Sequence, residues 1–343
     1  MTSRRDFMKG TLAGGIAVAA GAVLAKEPGS NAGTPPDSAG GKGFWPNGAQ
    51  LVISVSLQFE SGGQPEHAES PFPPLDSRYP DTIAPSWYRY GPLEGVPRLL
   101  ALFDRHGIKV TSHMVGKAVQ AYPELAAEVV RRGHEAAAHG LHWAPQYSLT
   151  PAEERRQYEQ ASAIIERVTG QRPVGFNAFW MRHSRETLNI LQDLGFLYHI
   201  DDLARDEPSI TPVRGKPFAV VPYTLRNNDI GRIAGSTAMT GAALLQELKD
   251  EFDVLYAEGR QRRRLMSLSA HDRIGGTPTV VRAGSVLRLC SRPCRRGVHA
   301  QGRDCPLGPG PGRYAGQSAT CVRLTTRGAL RPFAGKPAMG QSR

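Results

Sequence analysis

Seven short β-rich runs alternate with amphipathic stretches through the middle of the chain, and this alternation constrains the fold more than any other feature. The runs are 51–57, 108–115, 134–138, 174–178, 196–200, 218–221 and 265–270. Between the first two, Val96, Leu99, Leu100 and Phe103 recur at helical spacing. Pro123 opens a further helix, and Thr150-Pro151-Ala152-Glu153 is a capping box with Pro at the first helical position. Residues 242–258 form a long amphipathic stretch. Strand–helix–strand order predicts a parallel sheet. At this length the sheet rolls into a (β/α) barrel, distorted and seven-stranded, in a single domain over 44–282.

The two ends read differently. The formal net charge is +11, but from Ala283 onward ten Arg and one Lys face a single acid, Asp304. Ten of the eleven charges therefore sit in this tail, the barrel is close to neutral, and no basic footprint supports nucleic-acid binding there. The tail holds all four cysteines and repeated Arg, Gly and Pro. That composition predicts disorder or a reading-frame error that replaced the natural end, with a basic arm for an anionic polymer as the functional alternative. At the other end, Arg4-Arg5 precedes a short Ala/Gly-rich apolar run ending at Ala25. This pattern predicts a twin-arginine export signal over 1–25, use of the Tat machinery and a periplasmic destination. Residues 26–43, rich in Gly, Pro and Ser, read as a flexible linker.

In a parallel barrel, chemistry gathers on the loops after the strands. The reactive residues placed there are Glu60, His139, His142, Asn177, Trp180, Asp201, Asp202, His271 and Asp272. Each alone has a bland reading, and adjacent acids such as Asp201 and Asp202 are usually solvated. Recurrence at successive strand ends makes a catalytic complement. His67, His106, His113 and His183 read as surface or loop residues.

The motifs at these places resemble the polysaccharide deacetylase (NodB-homology) superfamily, over roughly residues 44–282. They are Gln58-Phe59-Glu60-Ser61-Gly62-Gly63, Gly133-His134-Glu135 running to His139-Gly140-Leu141-His142-Trp143, Thr169-Gly170-Gln171-Arg172-Pro173 leading to Asn177 and Trp180, and Ser269-Ala270-His271. The runs 194–198 and 221–224 are similar to the branch holding peptidoglycan deacetylase-like and allantoinase-like proteins. The resemblance implies hydrolysis of a carbon–nitrogen bond other than a peptide bond, in an N-acetylated glycan or in a cyclic amide. Glu60 then stands as the base and His271 as the acid, with Asn177, Trp180 and Trp143 binding substrate. His134 is implied to satisfy backbone groups at its strand start.

The usual enzyme of the superfamily holds a divalent metal on one Asp and two His. Here Ser61 stands at the Asp position, His139 matches the first His, Trp143 occupies the second, and His142 lies one residue early. Asn177 replaces the Arg that would orient the base. Zinc on His139 and His142, with Asp201 or Asp202 as a third ligand, is left open, and the incomplete ligand set weighs against it. An inert carbohydrate-binding relic is the rival from another class.

Overall fold

The computed structural model describes residues 44–45, 48–65, 72–73, 75–76, 78–233, 239–283 and 296–299. The expected export signal and linker, and all four cysteines, fall outside these residues.

The chain opens with β1 (Leu51–Phe59), whose burial is complete along its length. A helix α1 (Ile83–Tyr90) passes through a π-turn at Gly91–Gly95 into α2 (Val96–His106), which ends on Gly107 in the left-handed conformation. There follow β2 (Thr111–Met114), α3 (Gly116–Ala121), α4 (Pro123–Arg131) and β3 (Glu135–Ala138). Helix α5 (Pro151–Thr169) begins on the capping box, with both reciprocal bonds between Thr150 and Glu153 present. Then come β4 (Gly175–Phe176), α6 (Thr187–Asp193), β5 (Tyr198–His199), β6 (Ser209–Val213) and β7 (Lys216–Val220). Last are α7 (Asp229–Ile233), α8 (Gly241–Glu258), β8 (Leu265–His271), α9 (Pro278–Ala283) and β9 (Arg296–His299).

The strands form one curled sheet in the order β6-β7-β5-β4-β3-β2-β1-β8. All pairs along it are parallel except the β6–β7 hairpin. Among the described residues no ladder joins β6 to β8; an isolated parallel bridge links Asn228, in the segment after β7, to Ser269 of β8, so the barrel is not fully closed. The seven expected strands are the seven that pair in parallel along this path. The sequence reading missed β6, and it also missed β9, which pairs with the first half of β1.

Period-two alternation splits β1 into two faces. Leu51, Ile53, Val55, Leu57 and Phe59 join the apolar cluster beneath α2, α5 and α8, where Leu99, Leu100, Phe103, Ile165 and Phe252 are buried. The other face turns into the barrel: Val52 packs with Tyr198, Ala219 and Leu265. Above it the interior becomes polar, with Ser54, Ser56 and Gln58 all buried. Leu100 has no exposed surface in α2. Replacing it with Ala leaves a cavity against β1 and is expected to lower unfolding free energy by about 2–5 kcal/mol, read as a drop in the urea midpoint with an unchanged slope.

Candidate active site

The inward face of β1 ends on Glu60, one residue past the strand. The inward face of β8 carries Ser267, Ser269 and then His271. Parallel register sets Gln58 beside His271 on one side and beside His113 on the other. The same face of β3 leads through Ala137 to His139. Three strands thus deliver Glu60, His139 and His271 to one end of the barrel, as their parallel direction requires.

Glu60 is 1% exposed and stands at the centre. Its Oε1 lies 3.3 Å from His139 Nε2 and 3.5 Å from His271 Nε2. Its Oε2 accepts from Arg273 Nη1 at 2.7 Å. His139 Nδ1 faces the Asn177 carbonyl at 2.7 Å, so Nδ1 carries the hydrogen and Nε2 is the end that exchanges protons with the pocket. His271 Nδ1 is 2.6 Å from Asp229 Oδ1, and Asp229 Oδ2 accepts from the His271 backbone N–H at 2.7 Å. Asp229 therefore fixes both the ring and the main chain of His271.

Burial alone would push the Glu60 carboxyl up. His271, Arg273 and His139 outweigh that and hold it well below the usual carboxylate range. Burial opposes charge on His271, but Glu60 and Asp229 raise its titration above the ordinary imidazole value. The resting site thus holds a persistent carboxylate against an imidazole biased towards its protonated form.

A pocket of about 380 Å³ opens over this centre, lined by Glu60, His139, Trp143, Asn177, Trp180 and His271 together with Gln58, Tyr223 and Asn228. Six of the seven predicted site residues therefore share one mouth. Trp180 is 41% exposed and, like Met181, has positive φ (50° and 59°), which presents its ring at the rim. Such strain in a non-glycine pair persists only where surrounding contacts impose it. Here Gln146 Oε1 accepts from Phe179 N at 2.9 Å, and Asp201 accepts from Ala178 N at 3.0 Å.

Several readings need correction. His142 does not line the pocket: Gly140, at φ 75°, turns the chain away after His139. Asn177 donates its side-chain NH₂ to Asp201 at 2.6 Å, and its backbone carbonyl accepts from His139, so it holds the site's walls. Asp201 is no solvated loop acid, its side chain being fully buried. His183 is not a bland residue, since Nε2 sits 2.7 Å from Asp201 Oδ2. His113 is fully buried in β2, and burial, with His139 nearby, pushes it down to about 3. His134 behaves as expected, accepting from Val110 N at 3.2 Å. The sequence reading missed Arg273 and Asp229. The alternation of polar residues at 54, 56, 58 and 60, and at 267, 269 and 271, marks the inward faces of β1 and β8, but it stops short of both residues.

The residues at the pocket do not fit the superfamily's metal. Ser61 Oγ is 2.9 Å from Asp272 Oδ1, while Asp272 Oδ2 accepts from Glu60 N and Ser61 N. Trp143 offers no donor atom for a metal, so His139 Nε2 is left without the second histidine of the superfamily's ligand set. Among the described residues, the group of three metal-type side chains with donors within 4.8 Å is His183, His199 and Asp201. It contains neither His139 nor His142, and the Asp201 oxygens already accept from Asn177, Ala178 and His183.

A family model described as polysaccharide deacetylase matches residues 87–199. The "probable polysaccharide deacetylase" of Pseudomonas aeruginosa PAO1 is similar at 32% identity, with a TM-score of 0.67 over 72% of this chain and 86% of its own. PuuE allantoinase is similar at 31% identity, also with a TM-score of 0.67, over 77% of this chain and 90% of its own. The peptidoglycan deacetylase of Helicobacter pylori is 27% identical over 135 residues, 39% of this chain and 46% of its own.

Removing the Asp229 charge as Asn is expected to lower the titration of His271, because a carboxylate that favours the charged ring is lost. Histidine ¹⁵N NMR reads this directly. The raised value also makes the Asp229–His271 contribution to stability full at acid pH and lost as pH rises through the folded-state value. An unmoved His271 would mean that Asp229 does not set its proton affinity.

Proposed function

The chain belongs to the polysaccharide deacetylase family, and on that premise we propose that it hydrolyses the amide of an N-acetylated glycan. The observation that carries this is the convergence on Glu60 Oε1 of two imidazole Nε2 atoms, 3.3 and 3.5 Å away, at the mouth of the barrel. Water beside Oε1 gives its proton to Glu60 as its oxygen attacks the carbonyl carbon. The tetrahedral intermediate then loses nitrogen, and His271 Nε2–H protonates the leaving amine. Amide and water become carboxylate and amine. Asp229 keeps the His271 ring aimed through Nδ1, and Asn177 does the same for His139. Trp180 and Trp143 supply flat apolar surface for a sugar or other ring.

A second reading shares these steps: opening of a cyclic amide. The 31% identity to PuuE allantoinase and the absence of the superfamily's ligand set at the pocket favour it. In both readings the reaction runs on the side chains, and zinc is not needed. The twin arginine at Arg4-Arg5 supports export to the periplasm. Arg4→Lys with Arg5→Lys is expected to leave the protein in the cytoplasmic fraction of an expressing bacterium.

Glu60→Gln and His271→Ala are each expected to reduce turnover by about 10²–10⁴-fold while keeping the melting transition. The assay reads acetate release from chitooligosaccharides and peptidoglycan, beside ring opening of cyclic ureides. Wild-type rates in either variant would sink the assignment. In the active enzyme Glu60 must be ionised and His271 protonated. kcat/KM is therefore expected to hold from mild acid to neutral pH and to fall as pH rises through His271's raised value. Dialysis against EDTA is expected to leave the rate unchanged.

A further inference from the structure

We propose that Arg273 is the positioning residue of this centre, its guanidinium holding one oxygen of Glu60 so that the other is presented to water between two imidazoles. The inference rests on the amide-hydrolysis reading, but its geometry stands apart from any substrate.

A glutamate carboxyl group turns easily about its last torsion. Here the turn is blocked from one side only. Arg273 Nη1 donates to Oε2 at 2.7 Å. Oε1, on the other side, faces the pocket with His139 and His271. Arg273 is not among the pocket's lining residues, so it acts through Glu60 and does not touch the reacting atoms.

The guanidinium is itself held through Nη1 and by aromatic rings, while its buried Nε has no hydrogen-bond partner among the described residues. Its side chain is 1% exposed. Its central carbon lies 4.9 Å from the ring centre of Trp87, 5.0 Å from Tyr88 and 5.5 Å from Trp143. A planar cation can lie against such aromatic faces and a lysine ammonium cannot reproduce that shape. Nη1 also reaches Asp272 Oδ1 at 3.4 Å. Asp272 in turn accepts from Glu60 N at 3.0 Å and Ser61 N at 2.8 Å. The turn after β8 and the end of β1 are thereby locked together.

Room for this turn comes from glycine. A Cβ on Gly95 would collide with the Asp272 carbonyl, and one on Gly276 would collide with the Gly95 backbone. A Cβ on Gly91 would meet the Asp272 carboxyl at 2.8 Å. The π-turn Gly91–Gly95 therefore lets the loop carrying Arg273 sit against α1, whose Trp87 and Tyr88 cover it.

Arginine stays charged across the working pH range. A cation fixed behind Glu60 keeps the base ionised and aimed before substrate arrives. Trp143 touches both sides of this arrangement, stacking on Arg273 and lining the pocket.

The test compares Arg273→Gln, Arg273→Lys and Arg273→Ala in the full chain. Arg273→Gln is expected to lose about 10²-fold in kcat with little change in KM, as a misaimed base should. The acid limb of its kcat/KM profile is expected to move up towards the ordinary Glu value of about 4.3. Arg273→Ala is expected to recover turnover, saturably, with guanidinium chloride below denaturing concentration, and not with sodium chloride. Should the Ala variant fail to fold, Arg273→Lys carries the test: it keeps the charge, and so the acid limb, but not the aim, and loses kcat. Carboxyl ¹³C titration of Glu60 needs no substrate. An upward move in Arg273→Gln, with no amidase activity in the wild type, sinks the hydrolysis reading and leaves the positioning role standing. Unchanged kcat in a folded Gln or Lys variant, or an unmoved Glu60 in Arg273→Gln, overturns the role of Arg273 alone.

Discussion

Strands β1 and β8 lie side by side over seven residue pairs, from Val52 with Leu265 to Gln58 with His271, although they come from opposite ends of the barrel sequence. That pairing sets the distance between Glu60 and the segment 271–273, whose residues are 213 positions apart in the Glu60–Arg273 contact. A one-residue slip would reverse the inward and outward faces of β8, sending His271 towards the helices and Leu268 towards the polar interior. The apolar cluster under α2 and α8 forbids this, since Met266, Leu268 and Ala270 pack there with Ile53, Val55 and Leu57. Ordinary hydrophobic packing on the outside of the sheet thus holds the chemical groups in register on the inside.

The interior is costly to build. Charged groups taken out of water lose several kcal/mol each unless they are paired. The barrel meets this by pairing almost every one. Glu135 accepts from Thr111 at 2.8 Å and from Tyr198 at 3.0 Å deep in the interior. Higher up, Glu60 and Asp229 are matched by Arg273 and His271. Asp272, raised by burial and by Glu60, is the member of the cluster most ready to give up its charge. Carboxylates and basic groups thus alternate around the pocket, and its individual atoms are strongly polarised. A polarised, pre-arranged and poorly hydrated site is what stabilises charge that develops during amide cleavage.

The fold was legible because the parallel strands are short, apolar and separated by helices with clear starts, Thr150 and Pro123 among them. Strand β6 escaped because it lies at the sheet's edge with Pro212 inside it and Pro217 in its partner, residues that argue against a strand in a sequence. Helix α1 escaped for a similar reason, with Pro85 near its start. At the site, Glu60, His139 and His271 were legible as residues placed just after strands. His142 misled because spacing in a loop carries no direction: one glycine at positive φ turned it aside. Arg273 was invisible because nothing in a His-Asp-Arg run says which side chain folds inward. That is decided by a close approach of backbone to Gly95, a contact between segments far apart in the chain. Asp201 looked like a solvent-facing acid because an adjacent pair of acids usually is one, and only the Ala178 amide and His183 reveal the opposite.

The late position of β8 has a consequence for how the protein comes into being. On the ribosome Glu60 emerges early, and for some two hundred residues it has neither its guanidinium nor its second imidazole. A lone carboxylate cannot shed its water, so the growing chain has reason to keep that end of β1 hydrated and the barrel open. His271, Asp272 and Arg273 arrive together on one short turn, bringing the whole set of missing charges at once. Closure of the barrel and birth of the reactive centre are then a single event, and an unfinished chain harbours no half-working enzyme.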